Sequence, residues 1–425
     1  MKTHDILNKD EALDICYRLA EKTPNKDLFL IGSWVSFYPF KNDSFEYQLD
    51  QMASAGINFN HFPKHFGWGE YDNPDYWNEI EEQYKKRNMR YHMYAPDSQN
   101  PTVIAGLTAI ASSGKDHCIG YHVTDEPLAE RLEQVGAAVR AYRQADNQRF
   151  PFVNLLPSYA GESALGGAYR DYLQRYIDVA GKDNIEYLSH DFYFVSKNGT
   201  GDIKLLFQDI EAMRSVAYAN GRLKTHAFPQ SSEWSGMRMP TADEMRWNLY
   251  AYVAYGFKAL SWFNLVCPGS SDSEGEKFTN SIIYRDGTIR DPELFAIFSH
   301  LNWEIRVLGD TLIKLDTVHA YHTDEEQPGV EYLPQEFMLR PDGTNKFVMS
   351  CMEHKENGDA YLMIFNKAFE SIEGAVFTVD PYSDLRGMEY VNPHTGEYEP
   401  VDLRAGTLTS DFLAGEGKLY RLILK

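Results

Sequence analysis

The chain has 425 residues, of which 43% are hydrophobic and 14% aromatic, and its formal net charge at pH 7 is −21. This length suits one large domain of about 250 to 300 residues with a smaller second unit. The strong negative charge argues against nucleic acids and anionic membranes as partners, because both attract basic surfaces.

Membrane and export signals are also lacking in the sequence. No run of 18 apolar residues occurs, so no membrane span is expected. Residues 1–8 are polar and lack the apolar core of a signal peptide. We therefore expect a cytoplasmic chain, or a periplasmic or secreted one if a leader has been removed. The four cysteines form no C-x-x-C pair, which argues against a disulfide framework or a zinc site.

Eight short apolar runs predict β-strands, and segments with helical periodicity follow most of them. Alternating strands and helices are typical of a closed parallel (β/α)8 barrel, or TIM barrel, with its helices outside. The predicted strands are Leu28–Trp34, Ile57–Phe62, Arg90–Tyr94, Ile119–Val123, Phe152–Leu156, Tyr187–Phe194, Lys224–Phe228 and Ala259–Asn264.

Helix start signals support this alternation. Asn73 is a good N-cap, and Pro74 suits the first position of the helix that follows it. Residues Thr241 to Glu244 have the pattern of a capping box. Pro127 is expected to begin a helix after the fourth strand. The last outer helix is predicted from Pro292 to Leu308.

The pattern changes after Gly309, where period-two alternation and turn residues dominate. We therefore predict a barrel over residues 1–314 and a small C-terminal antiparallel β-sandwich over residues 315–425.

The fourth strand ends at Thr124-Asp125-Glu126-Pro127, which places two carboxylates at the barrel mouth, where the catalytic residues of such barrels lie. Glycoside hydrolysis needs a general acid and a second carboxylate that attacks the sugar or activates water. We assign Glu126 as the acid and expect Asp125 to orient its neighbours. Candidates for the second carboxylate are Glu233, after strand seven, and Asp191, at the end of strand six.

Other strand ends bring amides, histidines and tryptophans to the same mouth, as a sugar-binding pocket requires. Indole rings stack on the apolar faces of sugars, and polar groups bind the hydroxyls. The predicted sugar platforms are Trp34, Trp68, Trp234 and Trp262, and the predicted hydroxyl-binding residues are Asn60, His61, Asn154, Tyr193 and Gln230.

The order of these motifs resembles the glycoside hydrolases of clan A, in particular the family 42 β-galactosidases and related bacterial glycosidase-like proteins. The resemblance covers about residues 28–315 and implies a catalytic barrel with a C-terminal sandwich and Glu126 as acid/base. It is carried by Gly120-Tyr-His-Val-Thr-Asp-Glu-Pro127, Phe152-Val-Asn-Leu-Leu-Pro157, Tyr187-Leu-Ser-His-Asp-Phe-Tyr193, Gly256-Phe-Lys-Ala-Leu-Ser-Trp-Phe263 and Leu301-Asn-Trp-Glu-Ile-Arg-Val-Leu-Gly309.

Two departures from that family stand out. Asp125 replaces the asparagine that usually precedes the acid/base glutamate, and Pro229 occupies the position of the nucleophilic glutamate at the end of strand seven. Either Glu233 or Asp191 has taken over, or the retaining reaction has been lost.

The sequence thus predicts a glycosidase that cleaves a carbohydrate substrate without a cofactor or metal, in an oligomeric state left open. Three rivals remain. The first is a catalytically silent, carbohydrate-binding barrel. The second is a metal-dependent hydrolase using His61, His65 and Asp191. The third is a lyase that uses Tyr193 with a histidine.

Overall fold

A closed parallel barrel forms the larger part of the computed structural model, which describes residues 28–35, 45–64, 70–267, 278–284, 287–324, 326–403 and 405–425. Neighbouring strands pair in parallel around the ring, and the eighth pairs with the first. The predicted (β/α)8 architecture is confirmed. The strands are β1 Leu30–Val35, β2 Phe59–Phe62, β3 Arg90–Met93, β4 Cys118–Asp125, β5 Phe150–Leu155, β6 Tyr187–Asp191, β7 Lys224–Phe228 and β8 Ala259–Trp262.

Helices follow the barrel strands. Asn73 accepts a hydrogen bond from the backbone N–H of Asp75 at 3.0 Å, and both halves of the Thr241–Glu244 capping box are formed, as predicted. The main helices are α1 Phe45–Ser54, α2 Pro74–Lys86, α3 Pro101–Ala111, α4 Leu132–Ala145, α5 Tyr169–Ala180, α6 Ile203–Ala219, α7 Ala242–Ala254 and α8 Pro292–Leu312.

Shorter segments lie in the loops between these elements. The short helical segments are Ala129–Arg131, Ser158–Ala160, Glu162–Leu165 and Lys182–Asn184. The short strands are Val195–Ser196, Gly199–Thr200, Glu233–Trp234 and Phe278–Asn280.

Two sequence predictions need correction. Pro127 does not begin a helix, because Leu128 is extended and a 3-10 turn over Ala129–Arg131 precedes α4. Glu126 therefore lies directly after the end of β4 and is not part of a helix N-terminus. The sixth strand ends at Asp191, three residues before its predicted end at Phe194.

The barrel interior is filled by neutral histidines and aromatic rings. The ring of His61 lies 5.2 Å from those of His92 and His226, measured between centroids. Burial lowers the pKa of all three histidines well below the usual value, so their rings are uncharged at neutral pH. Phe152 and Phe228 pack among them. This closely packed layer forms the floor beneath the barrel mouth.

The C-terminal region consists of two facing sheets, as predicted. The seven-stranded sheet has the order β10-β9-β12-β13-β18-β15-β16, and the three-stranded sheet has the order β11-β14-β17. The strands are β9 Leu315–His322, β10 Glu331–Tyr332, β11 Leu339–Pro341, β12 Phe347–His354, β13 Ala360–Asn366, β14 Ile372–Val379, β15 Leu385–Val391, β16 Tyr398–Pro400, β17 Thr407–Phe412 and β18 Gly417–Leu424.

The larger sheet packs on two hydrophobic cores. One of its faces meets the three-stranded sheet. Its other face lies on the barrel helices, where Met363 and Phe365 join the same buried cluster as Trp247 of α7. The Trp247 indole donates to the carbonyl of Lys367 at 2.8 Å. The division at residues 314 and 315 stays a prediction, since one hydrophobic core continues across it.

Among the residues that the structure describes, no helix is both long and apolar enough to cross a membrane.

Candidate active site

A cavity of about 540 Å³ opens at the carboxyl ends of the barrel strands. Its described walls combine three carboxyl groups with several aromatic rings, an arrangement suited to a polar ligand that has flat apolar faces. The lining residues are Trp34, Asp125, Glu126, Asn154, Tyr159, Asp191, Tyr193, Phe228, Trp234, Met237 and Phe263.

A bulge near the end of β4 presents Asp125 to this cavity. The pairing register between β4 and β5 shifts between His122 and Thr124, so that Asp125 lies opposite Asn154. A bulge redirects the side chains that follow it.

Glu126 follows with a positive φ of 42°. This left-handed backbone costs a non-glycine residue about 1–2 kcal/mol. Its N–H donates to the Asn154 carbonyl at 2.9 Å, which holds the strained residue in place. Such strain beside a cavity is typical of a functional position.

Asn154 joins two of the three carboxyl groups. Its side-chain nitrogen donates to Asp125 Oδ1 at 3.1 Å and to Asp191 Oδ1 at 3.2 Å. If each oxygen lies along one N–H bond, the two oxygens are about 5.5 Å apart, because the amide hydrogens diverge by about 120°. Asn154 thus holds Asp125 and Asp191 close together in the cavity.

A buried chain of hydrogen bonds begins at the Asn154 side chain. Ser189 donates to Asn154 Oδ1 at 2.9 Å, and His226 Nδ1 lies 2.8 Å from the Ser189 hydroxyl. Because Ser189 has already donated its one proton, His226 must be the donor.

The chain continues to the other side of the barrel floor. Ser261 Oγ lies 2.9 Å from both His226 Nε2 and His61 Nε2. Because neutral His226 carries its proton on Nδ1, its Nε2 accepts a hydrogen bond from the Ser261 hydroxyl. His61 Nε2 is then the donor to the Ser261 oxygen. One continuous polarity thus links His61 to the Asn154 oxygen and leaves the Asn154 amide hydrogens for the two carboxyl groups.

The two aspartates of the cavity have raised pKa values. Asp125 is exposed to the solvent of the cavity. The protein groups around it still remove part of its hydration, and this desolvation, together with the charge of Glu126, raises its pKa to about 7. Asp191 is 7% exposed. Its pKa is raised well above the usual value by burial and by the charges of Glu126 and Asp125, while hydrogen bonds from Asn154 and Tyr193 oppose the rise. The cavity therefore disfavours the simultaneous ionisation of all its carboxyl groups.

Aromatic rings form a wall beside the carboxyl groups. The Trp234 ring centroid lies 5.0 Å from that of Tyr193 and 5.2 Å from that of Phe263, both edge to face. Trp34 lies in the lining as well, packed edge-on against Phe228. Of the cavity aromatics, the sequence did not single out Tyr159, Phe228 and Phe263. Their positions at or just after barrel strand ends were a usable signal.

Four predicted sugar-binding residues lie away from the cavity walls. Asn60 and Trp262 point toward the outer helices, where their side chains donate to Tyr84 Oη at 2.7 Å and to Asn302 Oδ1 at 2.8 Å. In these strands alternate residues face outward, and the predictions took the wrong face. His61 lies in the barrel floor, and Gln230 is buried with its amide bonded to loop backbone.

Glu233 is not brought to Asp125, Glu126 and Asp191. It lies on a short strand outside the cavity lining, 26% exposed, with its carboxylate 3.4 Å from Lys197 Nζ. The strand-seven position itself carries Phe228 and Pro229.

Two further predicted residues lie outside the described part of the chain. They are Trp68, predicted as a sugar platform, and His65, predicted as a ligand of the rival metal site.

Comparison with solved structures places this architecture among known folds. A GH42 β-galactosidase from G. stearothermophilus, solved as a catalytic mutant, has a TM-score of 0.59 at 8% identity, covering 93% of this chain and 98% of that one. A glycoside hydrolase family 5 protein from Bacteroides vulgatus has a TM-score of 0.56 at 10% identity, covering 93% and 89%. The chain thus shares its overall fold with these two glycoside hydrolases.

A third structure, described as a glycoside hydrolase, has a TM-score of 0.55 at 12% identity over 94% of this chain and 93% of that one. No protein-family profile and no curated protein matches the sequence. The resemblance predicted from the strand-end motifs is thus confirmed at the level of fold.

Proposed function

We propose that this protein is a glycoside hydrolase that cleaves a glycosidic bond with paired carboxyl groups. The observation that carries this proposal is the convergence of Asp125, Glu126 and Asp191 in one aromatic-lined cavity. The similarity of the fold to solved glycoside hydrolases supports it.

In this proposal Glu126 is the general acid/base, which protonates the leaving oxygen and later removes a proton from water. Asp191 is the second carboxylate. It lies on β6, the strand next to β7, and takes the role that an acidic residue at position 229 would have, since that position is Pro229. Asp125 orients the pair through Asn154. Glu233 has no part in the reaction, because its carboxylate pairs with Lys197 outside the cavity lining.

The raised pKa of Asp191 fits a site that stabilises positive charge. The buried carboxylate has no cation among the described lining residues. Glycoside cleavage builds positive charge at the anomeric carbon, and this charge would be the counter-charge of the Asp191 carboxylate. Because the charge develops only during the reaction, Asp191 would stabilise the transition state more than the bound sugar. The same lining favours an uncharged glycan, since a uronic acid or sulfate would face three acidic groups.

The test is hydrolysis of a panel of aryl glycosides by Glu126→Gln and Asp191→Asn, with Glu233→Gln as the matched control. Each of the first two variants should lower kcat about 10²- to 10⁴-fold. Glu126→Gln should be less impaired on substrates with good leaving groups, because these need no protonation. Glu233→Gln should keep wild-type activity. Full activity of Glu126→Gln on poor leaving groups would contradict the mechanism.

A second candidate function is a silent carbohydrate-binding barrel, which Phe228 and Pro229 at the strand-seven position favour. Calorimetry should then show sugar binding that Trp234→Ala weakens, with no turnover of any glycoside in the panel. Turnover that is lost in Asp191→Asn would exclude this alternative.

A further inference from the structure

Three potential metal ligands converge on the outer surface of α8, away from the cavity. His300 and Glu304 lie one turn apart on that helix, and His394 belongs to the turn between β15 and β16. One ligand atom from each residue lies within 4.8 Å of the other two. His300 Nε2 and Glu304 Oε1 are 3.1 Å apart, and each of these two side chains is 16% exposed.

Helix periodicity and turn geometry hold these ligands in place. Residues 300, 304 and 307 share one face of α8. A Cβ added to Gly396 would lie 3.6 Å from Val307 Cγ1, so the turn packs along this same face. Gly396 has a positive φ of 72°.

Hydrogen bonds within the turn preorganise His394. Asn392 Oδ1 accepts from the N–H of His394 at 2.8 Å, and the N–H of Gly396 donates to the Asn392 carbonyl at 2.8 Å. The ring of His394 lies 5.2 Å from that of His300, between centroids. The third ligand is thus presented by an ordered turn.

We propose that His300, Glu304 and His394 bind one Zn²⁺. Two imidazoles and a carboxylate form a donor set that suits this ion, with ligand atoms about 2.0–2.2 Å from the metal. Ligand atoms of a tetrahedral site are then about 3.3 Å apart, close to the His300–Glu304 distance, and side-chain rotation closes the remaining gap to His394. The fourth position is left to water or an external group.

The inferred role of this site is structural. Two ligands come from a helix of the barrel and the third from the C-terminal sheets, so the ion would tie the two units together. None of the three residues lines the carboxyl cavity. The inference is therefore independent of the proposed glycosidase activity, and ligand variants should keep that activity.

The experiment uses the untagged full chain after treatment with a chelator. Calorimetric titration with ZnCl₂ should give one site per chain, and Zn²⁺ should raise the Tm because it binds the folded state. Both His394→Ala and Glu304→Gln should weaken this site at least about tenfold. His319→Ala is the control, because His319 pairs with Glu331 at 2.7 Å without belonging to the three-ligand cluster.

Two results would overturn the proposal. One is a wild-type chain whose Tm does not respond to Zn²⁺, which would make the cluster an ordinary ion pair. The other is Zn²⁺ binding that survives unchanged in His394→Ala, which would place the ion elsewhere. The first result depends on the wild-type protein alone and does not require any variant to fold.

Discussion

Asn154 connects the acidic residues of the cavity to the barrel floor. A flipped amide would direct its oxygen at both carboxyl groups, which is repulsive when they are ionised. In the observed orientation Asn154 Oδ1 instead accepts from Ser189 at 2.9 Å, which holds the side chain in place. Ser189 and His226 are therefore positioning residues for the proposed reaction, although neither lines the cavity.

Ser189→Ala should lower kcat about tenfold, the equivalent of one lost hydrogen bond. Because the Asn154 hydrogen bond lowers the pKa of Asp191, its loosening should move the acidic limb of the pH–rate profile to higher pH. The control is Ser350→Ala, which removes a buried serine hydroxyl from the C-terminal sheet. A tenfold loss of kcat without a shift of the profile would indicate a merely structural role for Ser189.

The raised pKa values also predict how stability varies with pH. Between the ordinary aspartate pKa of 3.8 and about 7, the folded state binds more protons than the unfolded state at Asp125. The free energy of unfolding therefore falls as pH rises through this window. Asp191, whose folded pKa is also raised, acts in the same direction.

Asp191→Asn should consequently have a higher Tm than the wild type at pH 7, with the difference shrinking toward pH 4. Asp384→Asn is the control for the loss of one negative charge, because Asp384 is 71% exposed. Thermal unfolding followed across this pH range measures both variants. A lower Tm of Asp191→Asn at pH 7 would contradict the expectation.

At the scale of elements, α7 supports both parts of the molecule. Ten of its thirteen residues are buried, since one side covers the barrel and the other meets the larger C-terminal sheet. The capping box begins this helix: the N–H of Glu244 donates to Thr241 Oγ1 at 3.3 Å, and the Glu244 carboxylate accepts from the N–H of Thr241 at 2.9 Å.

Thr241→Ala should lower the free energy of unfolding by about 1 kcal/mol, because the cap hydrogen bond is lost. Thr241→Ser keeps the hydroxyl and should be close to the wild type. Chemical denaturation measures both. Equal stability of the alanine variant and the wild type would mean that packing alone positions the start of α7.

At the scale of the whole molecule, the barrel and the C-terminal sheets approach each other closely. A Cβ on Gly415 would lie 2.4 Å from Trp247 Cα, a distance that no side chain tolerates. Gly415 also has a positive φ of 67°. We expect the two parts to unfold together, since Met363, Phe365 and Trp247 share one core.

Gly415→Ala should destabilise the protein by about 1–3 kcal/mol more than Gly343→Ala, because only the former overpacks the interface. Gly343 is a matched control: its φ is 81° and a Cβ there meets nothing within 4 Å. Calorimetry should show a single transition that Gly415→Ala shifts downward. Two separated transitions in the wild type would contradict the shared core.

Most of the architecture was predictable from the sequence because it depends on local patterns. The apolar runs located all eight barrel strands, and the caps at Asn73 and Thr241 located two helix starts. The alternation after Gly309 predicted the facing sheets. These signals lie within a few residues of one another, so a single chain is enough to detect them.

The site depended on information that no local pattern contains. Strand ends indicated Asp125, Glu126, Asn154 and Asp191, but which face of a strand points inward, and whether a bulge shifts it, is decided by pairing between distant segments. That pairing turned Asn60 and Trp262 outward, and tertiary packing paired Glu233 with Lys197. The sequence thus predicted the barrel and its acidic rim, whereas only the folded chain decided which acidic groups share one cavity, because their mutual distance and burial arise from contacts across the barrel.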